Sequence, residues 1–256
     1  MKLIALLLFV TGTAHAKIKT EMVEYKSGET VLQGAVVYDD AKTKTKRPGV
    51  VIVHDWMGVG DYVQMRAEQM AKLGYVAFVA DIYGKGVRPK NATEAQTEAG
   101  KYKADRKEVR ARANAAYETL KAYKFVNAEK ISAMGYCFGG MVVLEMARMG
   151  LPLKGVVTFH GSLAAGAPGE AIGIKTKLLI LHGAIDPFVK SDEVQQFQKE
   201  LNDSSVNYEF VSYSGAVHAF TEKHAGTDIS KGAAYNEQAD KRSFLAMQNF
   251  LSEVNK

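Results

Sequence analysis

The 256-residue chain reads as an α/β fold: a mostly parallel sheet with helices on both faces. Three observations predict it. Short apolar runs alternate with helical patterns from about residue 50 to the end. The runs are continuously apolar rather than alternating, as strands buried on both faces must be. No internal repeat, low-complexity tract or linker interrupts them, so residues 17–256 read as one domain.

Residues 1–16 stand apart from that pattern. Lys2 gives a positive start, residues 3–10 form an apolar run too short to span a bilayer, and Ala14 and Ala16 supply the small residues before a cut. This is the layout of a cleaved secretory signal; the alternative is an N-terminal anchor or a buried first helix. The expectation is an exported protein, periplasmic or extracellular, with no stable membrane insertion after cleavage.

Residues 20–25 and 31–38, either side of Gly28, read as a hairpin. Residues 50–54 form a short apolar run bounded by Pro48 and Gly58. Residues 63–73 have helical spacing and Gly74 supplies the stop. Residues 75–80 are the next strand, and 105–123 a long charged amphipathic helix. A strand at 130–134 leads to an apolar helix at 139–149, ended by Gly150. Strands follow at 155–159, 177–181 and 208–213, with helices at 191–201 and 233–251. Residues 84–101, 161–176 and 223–232 read as long loops. Loops that follow strand C-termini in a parallel sheet can surround a ligand.

The net charge is +5, and its densest basic cluster, Lys42, Lys44, Lys46 and Arg47, borders a turn at Pro48-Gly49. A nucleic-acid protein concentrates basic residues along one face; no such stripe is present, so that class is excluded. Cys137 is the single cysteine, so no intramolecular disulfide forms. A lone cysteine is commonly a buried small apolar residue. The sharper alternative is a nucleophile.

Local sequence favours the nucleophile. Gly135-Tyr136-Cys137-Phe138-Gly139-Gly140 ends a strand and opens a helix. A Gly-x-nucleophile-x-Gly turn holds its central residue in a strained conformation and presents it at a helix N-terminus, whose dipole favours a thiolate. The Phe138 N–H becomes one oxyanion donor. Such an elbow needs an acid and then a histidine further along the chain. Asp186, in the loop after the strand at 177–181, is the acid, the alternative being a turn-initiating Asp before Pro187. His218, after the last strand, is the base, and His224 is its only competitor. His54, His160 and His182 end strands; His54 and His182 read as lining or supporting the site. The second oxyanion donor is the N–H of Trp56, in the loop His54-Asp55-Trp56-Met57-Gly58, which also brings Asp55 near the thiol. No histidine pair has metal-ligand spacing with a second cysteine or carboxylate cluster, so no metal is expected. The chemistry needs no cofactor.

With these segments and Ala80-Asp81-Ile82-Tyr83-Gly84 together, the chain resembles the dienelactone hydrolase family over essentially the whole of residues 17–256. The resemblance implies an α/β-hydrolase fold with about eight strands, a triad of Cys137, His218 and Asp186, and opening of small esters or lactones through an acyl-cysteine. Founding members carry a glutamate at the position of Asp55, where it contacts the thiol. They hold the substrate carboxylate with two arginines; the matching positions here are Lys85 and Glu222, with Arg88 nearby. Glu222 would repel an anion and Lys85 lacks a bidentate fork. A neutral or differently charged ester, lactone or thioester is therefore the expected substrate, acted on by a monomer or small homo-oligomer. The alternative from another class is a ligand-binding or thiol redox-sensing protein on the same fold.

Overall fold

The computed structural model describes residues 17–256, so the signal expected at residues 1–16 lies outside the described residues. The chain opens with β1 (Ile18–Ser27) and β2 (Thr30–Asp39), paired antiparallel from Ile18–Asp39 to Ser27–Thr30. Gly28, at φ 56, makes the reversal. Next come β3 (Arg47–Val53), α1 (Asp61–Lys72) and β4 (Val76–Ala80). β3 is buried from Gly49 on and β4 along its whole length, which explains their unbroken apolar sequences.

The second half alternates regularly through α3 (Arg106–Lys121), β5 (Val126–Tyr136), α4 (Phe138–Arg148) and β6 (Gly155–Phe159). It continues with β7 (Lys177–Gly183), α5 (Ser191–Asp203), β8 (Tyr208–Tyr213) and α6 (Glu237–Val254). The eight strands form one sheet ordered β1-β2-β4-β3-β5-β6-β7-β8. Only the β1–β2 and β2–β4 pairings are antiparallel. From β4 through β8 every neighbour is parallel.

Two apolar cores lie on the two sheet faces. One buries Val63, Ala67, Met70 and Ala71 of α1 with Met247 and Leu251 of α6. The other buries Val109, Ala113 and Leu120 of α3, Val142 and Val143 of α4, and Phe197 and Leu201 of α5. The α1 stripe recurs at the three-to-four spacing that puts residues on one helix face. Each fully buried Val or Met contributes roughly 1.5–3 kcal/mol.

Several boundaries differ from the sequence reading, three of them with a clear local cause or consequence. Residues 84–101 are not one long loop: most of their second half is α2 (Ala92–Ala104), capped by the Asn91 side chain, which accepts the Glu94 N–H at 3.0 Å. Its buried positions are Ala95, Ala99 and Tyr102, a stripe of mainly small residues that gives little apolar contrast. The last helix begins at Glu237 rather than at residue 233, because Asn236 caps it through the Ala239 N–H. β5 extends beyond 130–134, to Val126 and Tyr136. Among the described residues, no helix is long and apolar enough to cross a membrane.

Candidate active site

The ends of the parallel strands carry the residues singled out from sequence: Asp55 follows β3, Cys137 follows β5, Asp186 follows β7 and His218 follows β8. This is the edge of an α/β sheet where loops converge on ligands. Cys137 sits between β5 and α4 at φ 53 and ψ −112, outside the regions an L-residue prefers. Its N–H is held by the Phe159 carbonyl at 3.0 Å.

The turn is possible only because its glycines touch backbone. A Cβ at Gly135 would collide with the Gly139 carbonyl, and one at Gly139 with the carbonyl oxygens of Val53 and His54. Gly140 lies against Thr158 and Gly161 in the same way. The N-terminus of α4 is thereby seated on β3, and Phe138 is its first residue. First-turn N–H groups such as that of Phe138 have no intrahelical acceptor.

The structure joins Cys137, His218 and Asp186 into one chain of contacts. His218 Nε2 lies 3.0 Å from Cys137 Sγ, and Nδ1 lies 2.8 Å from Asp186 Oδ2. The other Asp186 oxygen accepts the Phe188 N–H at 2.9 Å, which fixes the carboxylate. Burial alone would lower the affinity of His218 for a proton. The electrostatic attraction of the Cys137 side chain and the hydrogen bond that His218 donates to Asp186 outweigh it and raise the pKa to about 10. The Phe188 ring stands edge-on to the imidazole at 5.5 Å while its own side chain is exposed, so it borders the site mouth.

His224 does not share the thiol contact made by His218. Its Nε2 lies 3.2 Å from Glu222 Oε2, and its side chain is largely exposed. His54 is a brace: Nδ1 meets the Asp55 carbonyl at 2.6 Å and Nε2 accepts the Ile82 N–H at 3.2 Å, so Nδ1 carries the proton. Burial lowers its pKa to about 4, and it stays neutral, stacked on Phe138. His160 packs against His218 with ring centroids 5.3 Å apart, and its Nε2 meets Thr221 Oγ1 at 2.7 Å. Burial, then the charge of His218, drives its pKa well down.

Tyr83 belongs to the site although its role was not read from sequence. Its hydroxyl donates to the Trp56 carbonyl at 3.0 Å, anchoring the loop expected to supply the second oxyanion donor. Burial, then the charges of Cys137 and Asp55, push its hydroxyl pKa upward, so Tyr83 lies within the field of both. Asp81 holds the turn beneath it, accepting the N–H groups of Tyr83 and Gly84 at 3.0 and 3.1 Å. Arg112 donates to the carbonyls of Ile82 and Tyr83. The Ala80-to-Gly84 segment carried the signal, but only the fold shows that its tyrosine points back to the thiol side.

The charged positions separate. Lys85 pairs with Glu24 on the outer hairpin at 2.6 Å and both are exposed. Arg88 is spent on the carbonyls of Gly84, Val87 and Gln33 and on Asp81. Neither basic side chain is brought to the triad. Glu222 instead joins buried Asp55 and exposed His224 in a cluster. Burial, then the charge of Glu222, push the Asp55 carboxyl up to about 7.

Residues 34–255 match the family model described as the dienelactone hydrolase family. Among solved structures, a metagenomic dienelactone hydrolase-like promiscuous phosphotriesterase superposes with a TM-score of 0.89 at 35% identity, covering 93% of this chain and 99% of that one. Protein usf of Aquifex pyrophilus is 28% identical over 206 residues, 78% of this chain and 86% of its own. A Bradyrhizobium protein named "Probable 2-oxo-3-(5-oxofuran-2-ylidene)propanoate lactonase" is 26% identical over 200 residues, 74% of this chain and 80% of its own.

Proposed function

The chain belongs to the dienelactone hydrolase family and is a carboxylic ester hydrolase; on that premise we propose that it cleaves a small ester, lactone or thioester through an acyl-cysteine on Cys137. The observation that carries this reading is the contact chain Asp186–His218–Cys137, at 2.8 and 3.0 Å, on a nucleophile held at φ 53. Oriented by Asp186, His218 keeps the Cys137 sulfur as a thiolate or takes its proton as the substrate is attacked.

The sequence of events follows from these positions. The Cys137 thiolate attacks the substrate carbonyl. The developing oxyanion is met by the N–H of Phe138 and the N–H of Trp56, each donor worth about 3 kcal/mol in the transition state. His218 gives its proton to the leaving oxygen or sulfur, and the acyl-cysteine forms. His218, now neutral, takes a proton from water. The hydroxide adds to the acyl carbon, the C–S bond breaks, and the acid departs, restoring the ion pair. Asp186 fixes the tautomer and stabilises the imidazolium throughout.

The substrate-facing charge favours neutral or cationic substrates. Of the two clamp positions, Glu222 is acidic and lies beside Asp55, and Lys85 is turned to Glu24. A metagenomic neighbour 35% identical in sequence is a promiscuous phosphotriesterase, which supports including a phosphate triester among test substrates. Hydrolysis of neutral aryl esters of rising acyl length, a thioester, a carboxylate-bearing lactone and an aryl phosphotriester tests the reading in wild type and Cys137→Ala. Turnover of a neutral member that disappears in the variant is the expected result. Turnover unchanged by the variant would end the cysteine mechanism, and preference for the anionic lactone would end the charge argument.

The reading includes export of a single folded unit, residues 17–256, as a monomer or small homo-oligomer. Mass spectrometry of protein recovered outside the cytoplasm should give a chain beginning at Lys17; an intact Met1 or Lys2 end would refute cleavage.

A further inference from the structure

Asp55 and Glu222 come from loops after different strands, β3 and β8, yet each offers a carboxylate oxygen to a group completed by an imidazole nitrogen of His224. The three atoms lie within 4.8 Å of one another. Both acidic residues are deeply buried, Asp55 at 4% and Glu222 at 3% relative exposure. One Asp55 oxygen accepts the Met57 N–H at 2.6 Å. Among the described residues the Glu222 carboxylate accepts no backbone N–H. Its charged neighbours are His224 Nε2 at 3.2 Å and His160 Nε2 at 4.0 Å, and the latter nitrogen already engages Thr221. No lysine or arginine pairs with either carboxylate among the described residues.

Two buried carboxyl groups here share one imidazole, with no guanidinium or ammonium beside them among the described residues. Ionised carboxylates are costly to bury without positive charge, so a cation bound between these two would be favoured. The donor set narrows the cation. One imidazole and two carboxylates suit a borderline divalent transition metal better than calcium or magnesium, which take oxygen ligands. Tetrahedral ligands about 2.0–2.1 Å from zinc stand about 3.3 Å apart. The 3.2 Å separation of His224 Nε2 and Glu222 Oε2 already matches such an edge. Supporting contacts are also in place: the Met57 N–H orients Asp55, and the Tyr62 ring stands edge-on to His224 at 6.0 Å.

We propose that Asp55, Glu222 and His224 form a binding site for one divalent transition-metal ion of the zinc type. With three protein ligands, the fourth position is left to water or to a group entering from solvent. The site adjoins the triad without using its residues: His224 contacts Glu222, whereas His218 contacts Cys137. It nevertheless shares a loop with the base: the Glu222 N–H donates to the Ala219 carbonyl at 2.9 Å, one residue past His218. Sequence spacing hid it, since only folding brings the end of β3 to residues 222 and 224.

The experiment is calorimetric titration of the chelator-treated protein with Zn²⁺, alongside visible absorption on adding Co²⁺. Wild type, Cys137→Ala, His224→Ala and Glu222→Gln are compared. His224 is largely exposed and Gln is isosteric with Glu, so both site variants should fold, and thermal melting checks this. The expected result is one Zn²⁺ per chain in wild type and Cys137→Ala, weakened by more than about 100-fold in His224→Ala and Glu222→Gln. Absence of saturable binding overturns the proposal. So does binding that survives both site variants, or binding abolished by Cys137→Ala alone, which would put the metal on the nucleophile and its base. Binding is read without turnover, so the result stands apart from the hydrolase reading.

Discussion

Replacing Asp186 by Asn isolates the charge that holds His218. Asn keeps the side-chain volume and an oxygen for the Phe188 N–H, so the loop loses little packing. What it removes is a unit negative charge 2.8 Å from His218 Nδ1, on a side chain with no exposed surface. At an effective dielectric constant of roughly 20, opposite unit charges at that separation attract by about 6 kcal/mol. Each 1.36 kcal/mol is a factor of ten, so the full attraction corresponds to about four powers of ten in rate. The amide can also donate to Nδ1, which fixes the proton on Nε2 and prevents that nitrogen from accepting one from the thiol or from water. The expected result is a fall in kcat of about three to four powers of ten, with KM little changed. Alkylation of Cys137 at neutral pH should slow in parallel, because less of it is ion-paired. Steady-state hydrolysis of an aryl ester and iodoacetamide labelling measure the two effects. A variant that melts like wild type and keeps kcat within about tenfold would refute the assigned role of Asp186.

Further outcomes follow from the same geometry. Gly139→Ala should cost about 3 kcal/mol or more in urea unfolding, because the added methyl meets the backbone of Val53 and His54 rather than a yielding side chain; a loss below 1 kcal/mol, about the cost of a surface change, would contradict the packing. Glu145→Ala should destabilise by about 1.5–3 kcal/mol, since it removes the fully buried carboxylate shared by Arg106, Arg110 and Arg148 and leaves Glu170 and Glu200 as their remaining partners; an unchanged melting temperature would show that carboxylate to be dispensable. The pKa of His218 is raised by folding from 6.5 to about 10, so its contribution to stability is complete below pH 6.5 and is lost as pH rises through about 10. Urea unfolding across that window should therefore show a steeper decline in wild type than in Asp186→Asn, and parallel curves would remove the ion pair from the explanation.

The sequence was most informative where one residue's local context settled its conformation. Gly135 to Gly140 announced the strained turn, and the later order of Asp186 and His218 named its partners. Continuous apolar runs such as residues 155–159 gave the buried strands. Residues 92–104 were harder, because Ala95 and Ala99 bury too little surface to mark a helical face in sequence. Tyr83 stands beside the thiol only because Asp81 and Arg112 shape the turn after β4, a tertiary outcome. The same limit applies to charge. Lys85 and Glu222 matched positions in a motif, but the partner of Lys85 proved to be Glu24 on the first strand, and that of Glu222 to be His224 and Asp55. Pairings between distant loops depend on which strands become neighbours, and β3 reaches its place in the sheet only through the order β2-β4-β3-β5.

That strand order also sets the moment at which the protein becomes reactive. The nucleophile turn is complete once β5 and α4 lie against β3. The acid waits for β7 and the base for β8, the outermost strand. A chain emerging from its N-terminus thus carries an ordinary thiol through most of its synthesis, and the thiol gains its base only as the last parallel strand docks. Long-range pairings of this kind are the slow ones in folding. During refolding, recovery of turnover should lag the burial of Tyr136 and Phe138, making hydrolysis a clock for the final strand rather than for collapse.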